Sequence, residues 1–80
     1  MTTIKVYPRT IKTTNEFRAL DIDGRVYLGV TSAISQFLAD SCMKIKDVEW
    51  IICDEHKIVA TSLDDFWKQF QKLGIDFKGV

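Results

Sequence analysis

The stretch EFRALDIDGRVYLGV, residues 16–30, decides the fold of this 80-residue chain. Asp23 and Gly24 at its centre are a strong two-residue turn signal, because a type I′ turn requires a positive φ at both central positions. The turn predicts a β-hairpin and fixes its register. The expected cross-strand pairs are Ile22 with Arg25, Leu20 with Tyr27, Ala19 with Leu28 and Phe17 with Val30.

This hairpin has two faces, because successive side chains of a strand point to opposite sides of the sheet. One face is almost wholly apolar, and we expect the helices to pack on it. The other mixes apolar, aromatic and arginine side chains, and it would then stay uncovered. The first, the Phe17 face, holds Phe17, Ala19, Val26, Leu28 and Val30; the second, the Leu20 face, holds Arg18, Leu20, Ile22, Arg25 and Tyr27.

Strands are also predicted on both sides of this hairpin. Residues 2–7 alternate apolar and polar side chains, and Pro8, which has no N–H to donate to a ladder, ends that strand. The run VEWIIC, residues 48–53, is apolar on both faces and predicts a central strand. A polar turn follows it, so residues 58–60 run back as a second hairpin in which Cys53 faces Ile58.

Two helices complete the pattern. The first follows the N-cap candidates Thr31 and Ser32, has one apolar stripe, and should stop near residues 43–45. The second begins after Ser62, with Asp65 in capping-box position, and should end at Gly74. Residues 75–77 either add a short C-terminal strand or lie on the core.

These elements predict a small two-layer α+β domain of order β-β-β-α-β-β-α. We expect an antiparallel sheet of about five short strands with both helices on one face. The chain, residues 1–80, has the size of one domain. Hydrophobic residues make up 46% of it and charged residues 28%, which is typical of a globular protein.

The charge balance limits the classes of partner. Eleven basic residues balance eleven acidic ones, which removes the broad attraction that nucleic-acid binders and membrane-surface proteins use. The sequence shows no signal peptide and no run of apolar residues long enough to span a membrane. Cys42 and Cys53 are isolated, so we expect reduced thiols and a cytoplasmic protein.

We find no group of residues suited to catalysis, to a metal or to a cofactor. One histidine and two separated cysteines cannot supply the ligand spacing of a zinc site. Cys53 and His56 bracket one turn, but a nucleophile pair also needs an orienting group and a pocket. No glycine-rich phosphate loop is present. We therefore predict that the protein is not an enzyme.

The leading hypothesis is a protein-binding module, an inhibitor, adaptor or regulator that binds a protein partner or a second copy of itself. Compact single-domain proteins of this kind are often encoded by phages and mobile elements. The candidate surface is the Leu20 face, whose aromatic, aliphatic and arginine side chains have the composition of binding hot spots. Alternatively, the terminal segments cover that face, or its apolar residues are ordinary surface residues.

The second hypothesis is a nucleic-acid-binding regulator. Basic and aromatic side chains near the N-terminus could combine phosphate contacts with base stacking. The zero net charge and the absence of a basic helix argue against it. The residues concerned are Lys5, Tyr7, Arg9 and Lys12.

Overall fold

The structure is a computed structural model that describes residues 1–12 and 16–75. The element order β-β-β-α-β-β-α is confirmed. A C-terminal strand at residues 75–77 falls mainly outside the described residues. The strands are β1 (Thr2–Lys12), β2 (Glu16–Ile22), β3 (Arg25–Leu28), β4 (Val48–Ile52) and β5 (His56–Ile58); the helices are α1 (Val30–Ser41) and α2 (Leu63–Lys72), with a 3₁₀ turn at Ile45–Asp47.

The sheet has the strand order β3-β2-β1-β4-β5, so the N-terminal strand lies at its centre. The prediction of an antiparallel sheet is wrong at one ladder: β1 and β4 are parallel, with Ile4 beside Trp50, and the sheet is mixed. β1 is inserted between two ββα units, and it is antiparallel to β2 on its other side. Only the docking of the two units determines this direction, because no local turn links β1 to β4. The prediction that Pro8 ends this first strand is wrong, because β1 continues through Pro8, which lies opposite Leu20, to Lys12.

The first hairpin has the predicted turn and the predicted register. Asp23 and Gly24 both have positive φ, 53° and 87°, and Leu20 lies opposite Tyr27. The expected pair of Phe17 with Val30 is not formed, because β3 ends at Leu28 and Val30 begins α1. Gly29, with φ 84°, turns the chain, and its carbonyl accepts the first helical N–H from Ala33. Gly29 is therefore the N-cap of α1, and the prediction of Thr31 or Ser32 at that position is wrong.

The buried core lies on the Leu20 face of the hairpin, which corrects the sequence-based expectation. Leu20 and Ile22 have no solvent exposure, whereas Val26 is 51% and Leu28 is 57% exposed. Both helices pack on this side of the sheet. The core cluster holds Ile4, Val6, Leu20, Ile22, Ala33, Ile34, Phe37, Val48, Trp50, Ile52, Ile58, Ala60, Phe66 and Phe70.

Neighbouring strands explain why the faces are reversed. Val6 pairs with Ile22 and also with Ile52, so these three side chains lie in one row on one face. The other face of β1 carries Lys5 and Arg9, which would be costly to bury without partners. The hairpin read by itself favoured the Phe17 face, but the five-stranded sheet buries the Leu20 face.

The second hairpin also differs in register. Trp50 pairs with Ile58, so the expected pair of Cys53 with Ile58 is wrong. Cys53 and Asp54 both have positive φ, 54° and 63°, and Glu55 N–H bonds the Ile52 carbonyl at 3.2 Å. These are features of a tight type I′ turn. It begins earlier in the chain than the sequence indicated.

The helix ends show how each helix is fixed. α1 stops at Ser41, before the expected residues 43–45, because Cys42 adopts the left-handed conformation at φ 53°. α2 starts as predicted: the Ser62 hydroxyl accepts the Asp65 N–H at 3.1 Å, and the Asp65 carboxylate accepts the Thr61 N–H at 3.1 Å. Gly74 has the predicted positive φ.

Candidate functional site

The face of the sheet opposite the helices carries strand side chains that lie outside the buried core cluster. We call it the open face. None of the described helices packs on it. β1 supplies its centre, and β3 and β5 form its two sides. Strand alternation and the pairing registers place on it Lys5, Tyr7, Arg9, Ala19, Asp21, Val26, Leu28, Glu49, Ile51 and Lys57.

The β3 end of the open face is apolar. Val26 and Leu28 are more than half exposed, and Ala19, opposite Leu28, is fully buried between its neighbours. Asp21, the residue opposite Val26, is paired with Arg9 on the side away from β3. Among the strand residues whose side chains are described, Val26 and Leu28 are the exposed large apolar ones.

The centre and the β5 end carry paired charges. Arg9 contacts Asp21 through its Nη2 at 3.0 Å and its Nε at 3.1 Å. Lys57 lies 3.5 Å from Glu49. Basic and acidic side chains thus neutralise one another across neighbouring strands, and such exposed pairs contribute little to stability.

Tyr7 is held at the centre of the open face by the turn after β4. Its hydroxyl donates a hydrogen bond to Asp54 Oδ1. This bond raises the pKa of Tyr7, because it favours the neutral phenol, and burial and the negative charge of Asp54 act in the same direction. Tyr7 is therefore neutral at physiological pH, with its ring half-buried on the sheet.

The partner-binding residues predicted from the sequence do not form an exposed surface together. Leu20 and Ile22 lie in the core. Tyr27 is half-buried, meets Phe37 edge-on with ring centroids 6.1 Å apart, and donates its hydroxyl to Asp40 at 3.1 Å. Arg18 and Arg25 are exposed, at the sides of this face. The expectation that the Leu20 face is uncovered is therefore wrong.

The residues of the nucleic-acid hypothesis are better grouped. Lys5, Tyr7 and Arg9 follow one another along the open side of β1, while nothing is described of the Lys12 side chain. Arg9, however, is neutralised by Asp21. The pattern that could have identified the open face from sequence is this alternation of Lys5, Tyr7 and Arg9 with Ile4 and Val6.

The turn after β4 does not form a thiol–imidazole pair. His56 Nε2 lies 3.0 Å from Glu55 Oε1. Burial raises the pKa of the Cys53 thiol, and the nearby carboxylates of Glu55 and Asp54 raise it further, so little thiolate is present at neutral pH. Within residues 1–12 and 16–75, no cluster of three or more His, Cys, Asp or Glu side chains could hold a metal ion.

A groove of about 480 Å³ lies on the helical side, between the start of α1 and the C-terminal half of α2. Its walls are mainly apolar and aromatic. The described part of the chain places no charged side chain in it. The lining residues are Val30, Thr31, Trp67, Phe70, Gln71, Gly74 and Ile75.

Neither helix of the described chain combines the length and the apolar character that crossing a membrane requires. No protein-family model matches the sequence, and neither a curated protein nor a solved structure matches it.

Proposed function

We propose that this chain is a non-catalytic protein-binding module, a small inhibitor, adaptor or regulator that acts through the open face. The observation that carries the proposal is the exposure of Val26 and Leu28, 51% and 57%, beside the buried Ala19. Large apolar side chains grouped on an otherwise polar surface are characteristic of protein interaction sites. The charged remainder of the open face would form the polar rim of such a site.

The electrostatics of the open face favour a protein over a nucleic acid. Phosphate binding requires cations that are free to replace counterions. Arg9 is already paired with Asp21, and Lys57 with Glu49. The open face therefore offers little net positive charge to a phosphate backbone.

The test is affinity capture from a lysate of the source organism, with the wild-type chain and two variants. Leu28→Asp places a charge in the apolar end of the open face. Leu63→Asp is the matched control, because Leu63 is also partly exposed, at 38%, and lies on α2. We expect a defined set of proteins to be captured by the wild type and Leu63→Asp, and lost from Leu28→Asp.

A third variant tests whether the centre of the open face, and not only its β3 end, contributes to capture. Lys5→Glu reverses one exposed charge on β1 and leaves β3 unchanged; Lys72→Glu on α2 is its control. Equal capture by wild type and by every open-face variant contradicts the proposal. So does a wild-type chain that captures nothing and remains monomeric.

A further inference from the structure

β3 is one of the two edge strands of the described sheet, and its outward backbone groups belong to Val26 and Leu28. In an antiparallel ladder, residues bonded to the neighbouring strand alternate with residues that are not. The Gly29 N–H donates to the Arg18 carbonyl at 3.0 Å, so Tyr27 is the next residue of β3 bonded to β2. Val26 and Leu28 therefore direct their N–H and C=O groups away from the sheet.

The opposite edge strand is better protected against strand pairing than β3, whose own protection is its short length and the exposed Arg25 at its start. On β5 the exposed Lys57 stands on the open face, and beyond its end the Gln69 side chain donates to the Val59 carbonyl at 3.1 Å. Lysine and covering side chains are the usual means of blocking an edge. On β3, Val26 and Leu28 have exposed apolar side chains, and their outward N–H and C=O groups face no other strand of the described sheet.

The second layer beside β3 is also poor in charge. α1 packs over β2 and β3, and because Asp40 reaches Tyr27, the flank of α1 that contains Asp40 faces the β3 side. Helical periodicity places Gln36 on the same flank, with Ser32 and Ala39 beside it. Asp40 is the one charged residue of α1. That carboxylate is already paired with the Tyr27 hydroxyl. The short side chains of Ser32 and Ala39 leave room for another helix to approach closely.

From these observations we propose that a second copy of the chain pairs with this edge, β3 against β3, in an antiparallel arrangement about a twofold axis. In the register that uses every outward group, Val26 of one protomer lies opposite Leu28 of the other, and the two Tyr27 residues meet at the axis. The exposed apolar side chains then form two cross-strand pairs on the open face. The two five-stranded sheets become one continuous sheet.

The spacing of the two layers fits this arrangement. Strands in a sheet are about 4.8 Å apart, and the twofold axis lies midway between β3 and its copy. A helix centred over β2 and β3 is therefore about one strand spacing, roughly 5 Å, from that axis. The two α1 helices are then about 10 Å apart, which is within the usual distance of packed helices. The sheet and the helix layer therefore reach contact in the same arrangement.

The helix contact also supplies area that β3 alone lacks. A standard interface buries about 800 Å² on each partner, roughly a sixth of the accessible surface of 5156 Å². β3 is only four residues long, about 14 Å at the usual rise. The flank of α1, twelve residues and about 18 Å long, adds a second row of contacts beneath it.

This inference deepens the proposed function by naming the partner of its apolar end. The two can fail separately. A monomeric chain could still capture another protein through the open face, and a dimer could form while capturing nothing else.

Sedimentation equilibrium of the full chain at several concentrations tests the dimer. We expect a mass of twice 9.2 kDa for the wild type. Val26→Lys should raise the dimer Kd about tenfold or more, because both apolar pairs are lost and two charges enter the interface. Val59→Lys is the matched control, since Val59 is 45% exposed beyond the opposite edge, and it should dimerise like the wild type.

Amide hydrogen exchange, read residue by residue, tests the register. The Val26 and Leu28 amides should gain protection as the wild-type concentration rises, and they should lose it in Val26→Lys. Val26→Pro removes only an outward N–H, so it should abolish dimerisation while the hairpin remains folded. A wild-type chain that is monomeric up to about 1 mM, the weak end of the affinity scale, overturns the inference. A dimer whose Val26 and Leu28 amides exchange freely overturns it as well.

Discussion

The reversal of the hairpin faces can be tested with two leucines. Leu20 on β2 is fully buried, whereas Leu28 on β3 is 57% exposed. The hairpin sequence alone predicts the opposite, with Leu28 in the core and Leu20 outside. We expect Leu20→Ala to destabilise the chain far more than Leu28→Ala.

The magnitudes follow from the structure. Each substitution removes three carbon atoms, worth about 0.8 kcal/mol each when fully buried. At Leu20 the cavity left in the core raises the loss to about 3–5 kcal/mol. At Leu28 most of the side chain already meets water and no cavity forms, so the loss should be about 1 kcal/mol or less. A chain of this length has a total stability of about 4–12 kcal/mol, so the two outcomes are well separated.

Urea denaturation, followed by circular dichroism and by the fluorescence of Trp50 and Trp67, measures both losses. The protein should be kept at the lowest concentration that gives a signal, so that self-association through β3 does not contribute to the apparent stability of the wild type. Equal losses, or a larger loss for Leu28→Ala, would refute the assignment of the open face and with it the proposed binding surface.

Further predictions concern turns, caps and pH. Gly24→Ala should cost about 1–2 kcal/mol in urea denaturation from its positive φ alone, because nothing lies within 4 Å of an added Cβ. Cys42→Gly should stabilise the chain by about 1 kcal/mol and so raise its thermal midpoint, because glycine removes the backbone strain of the left-handed conformation that ends α1. Ser62→Ala should lose about 1 kcal/mol with the N-cap hydrogen bond to Asp65. The Thr61 N–H lowers the pKa of Asp65 below that of an unfolded aspartate, near 3.9. The stabilisation contributed by the Asp65 carboxylate is therefore complete above that pH and is lost as the pH falls through the folded pKa. Urea midpoints measured between about pH 7 and 3 should fall less steeply for Asp65→Asn than for the wild type.

The candidate site was only partly predictable from the sequence. The hairpin sequence predicts that the Leu20 face is uncovered, because the Phe17 face is the more apolar of the two. The sheet leaves the Phe17 face open instead, since the strands beside the hairpin extend the row of Ile22 into the core. The sequence predicts a possible surface at Lys5, Tyr7 and Arg9, and these residues do lie on the open face. It predicts Val26 and Leu28 in the core, since nothing local distinguishes an exposed edge-strand valine from a buried one.

Elements whose causes are local can be predicted from the amino-acid sequence. Asp23 and Gly24 form the turn and register of the first hairpin because few residue pairs accept positive φ at both positions. Ser62 and Asp65 begin α2 because their side chains satisfy exposed N–H groups at its start. Such hydrogen bonds and backbone conformations join residues a few positions apart, so the local sequence is sufficient to specify them.

The way these elements combine depends on contacts between residues far apart in the chain. β1 enters the centre of the sheet, pairs in parallel with β4, and places Val6 in a row with Ile22 and Ile52. The helices cover the face of the first hairpin that continues this row, because its side chains are apolar. Lys5 and Arg9 lie on the other side of β1, where they remain accessible to water. The physical reason is that burial of apolar surface is non-directional, so the face that is covered depends on all five strands together.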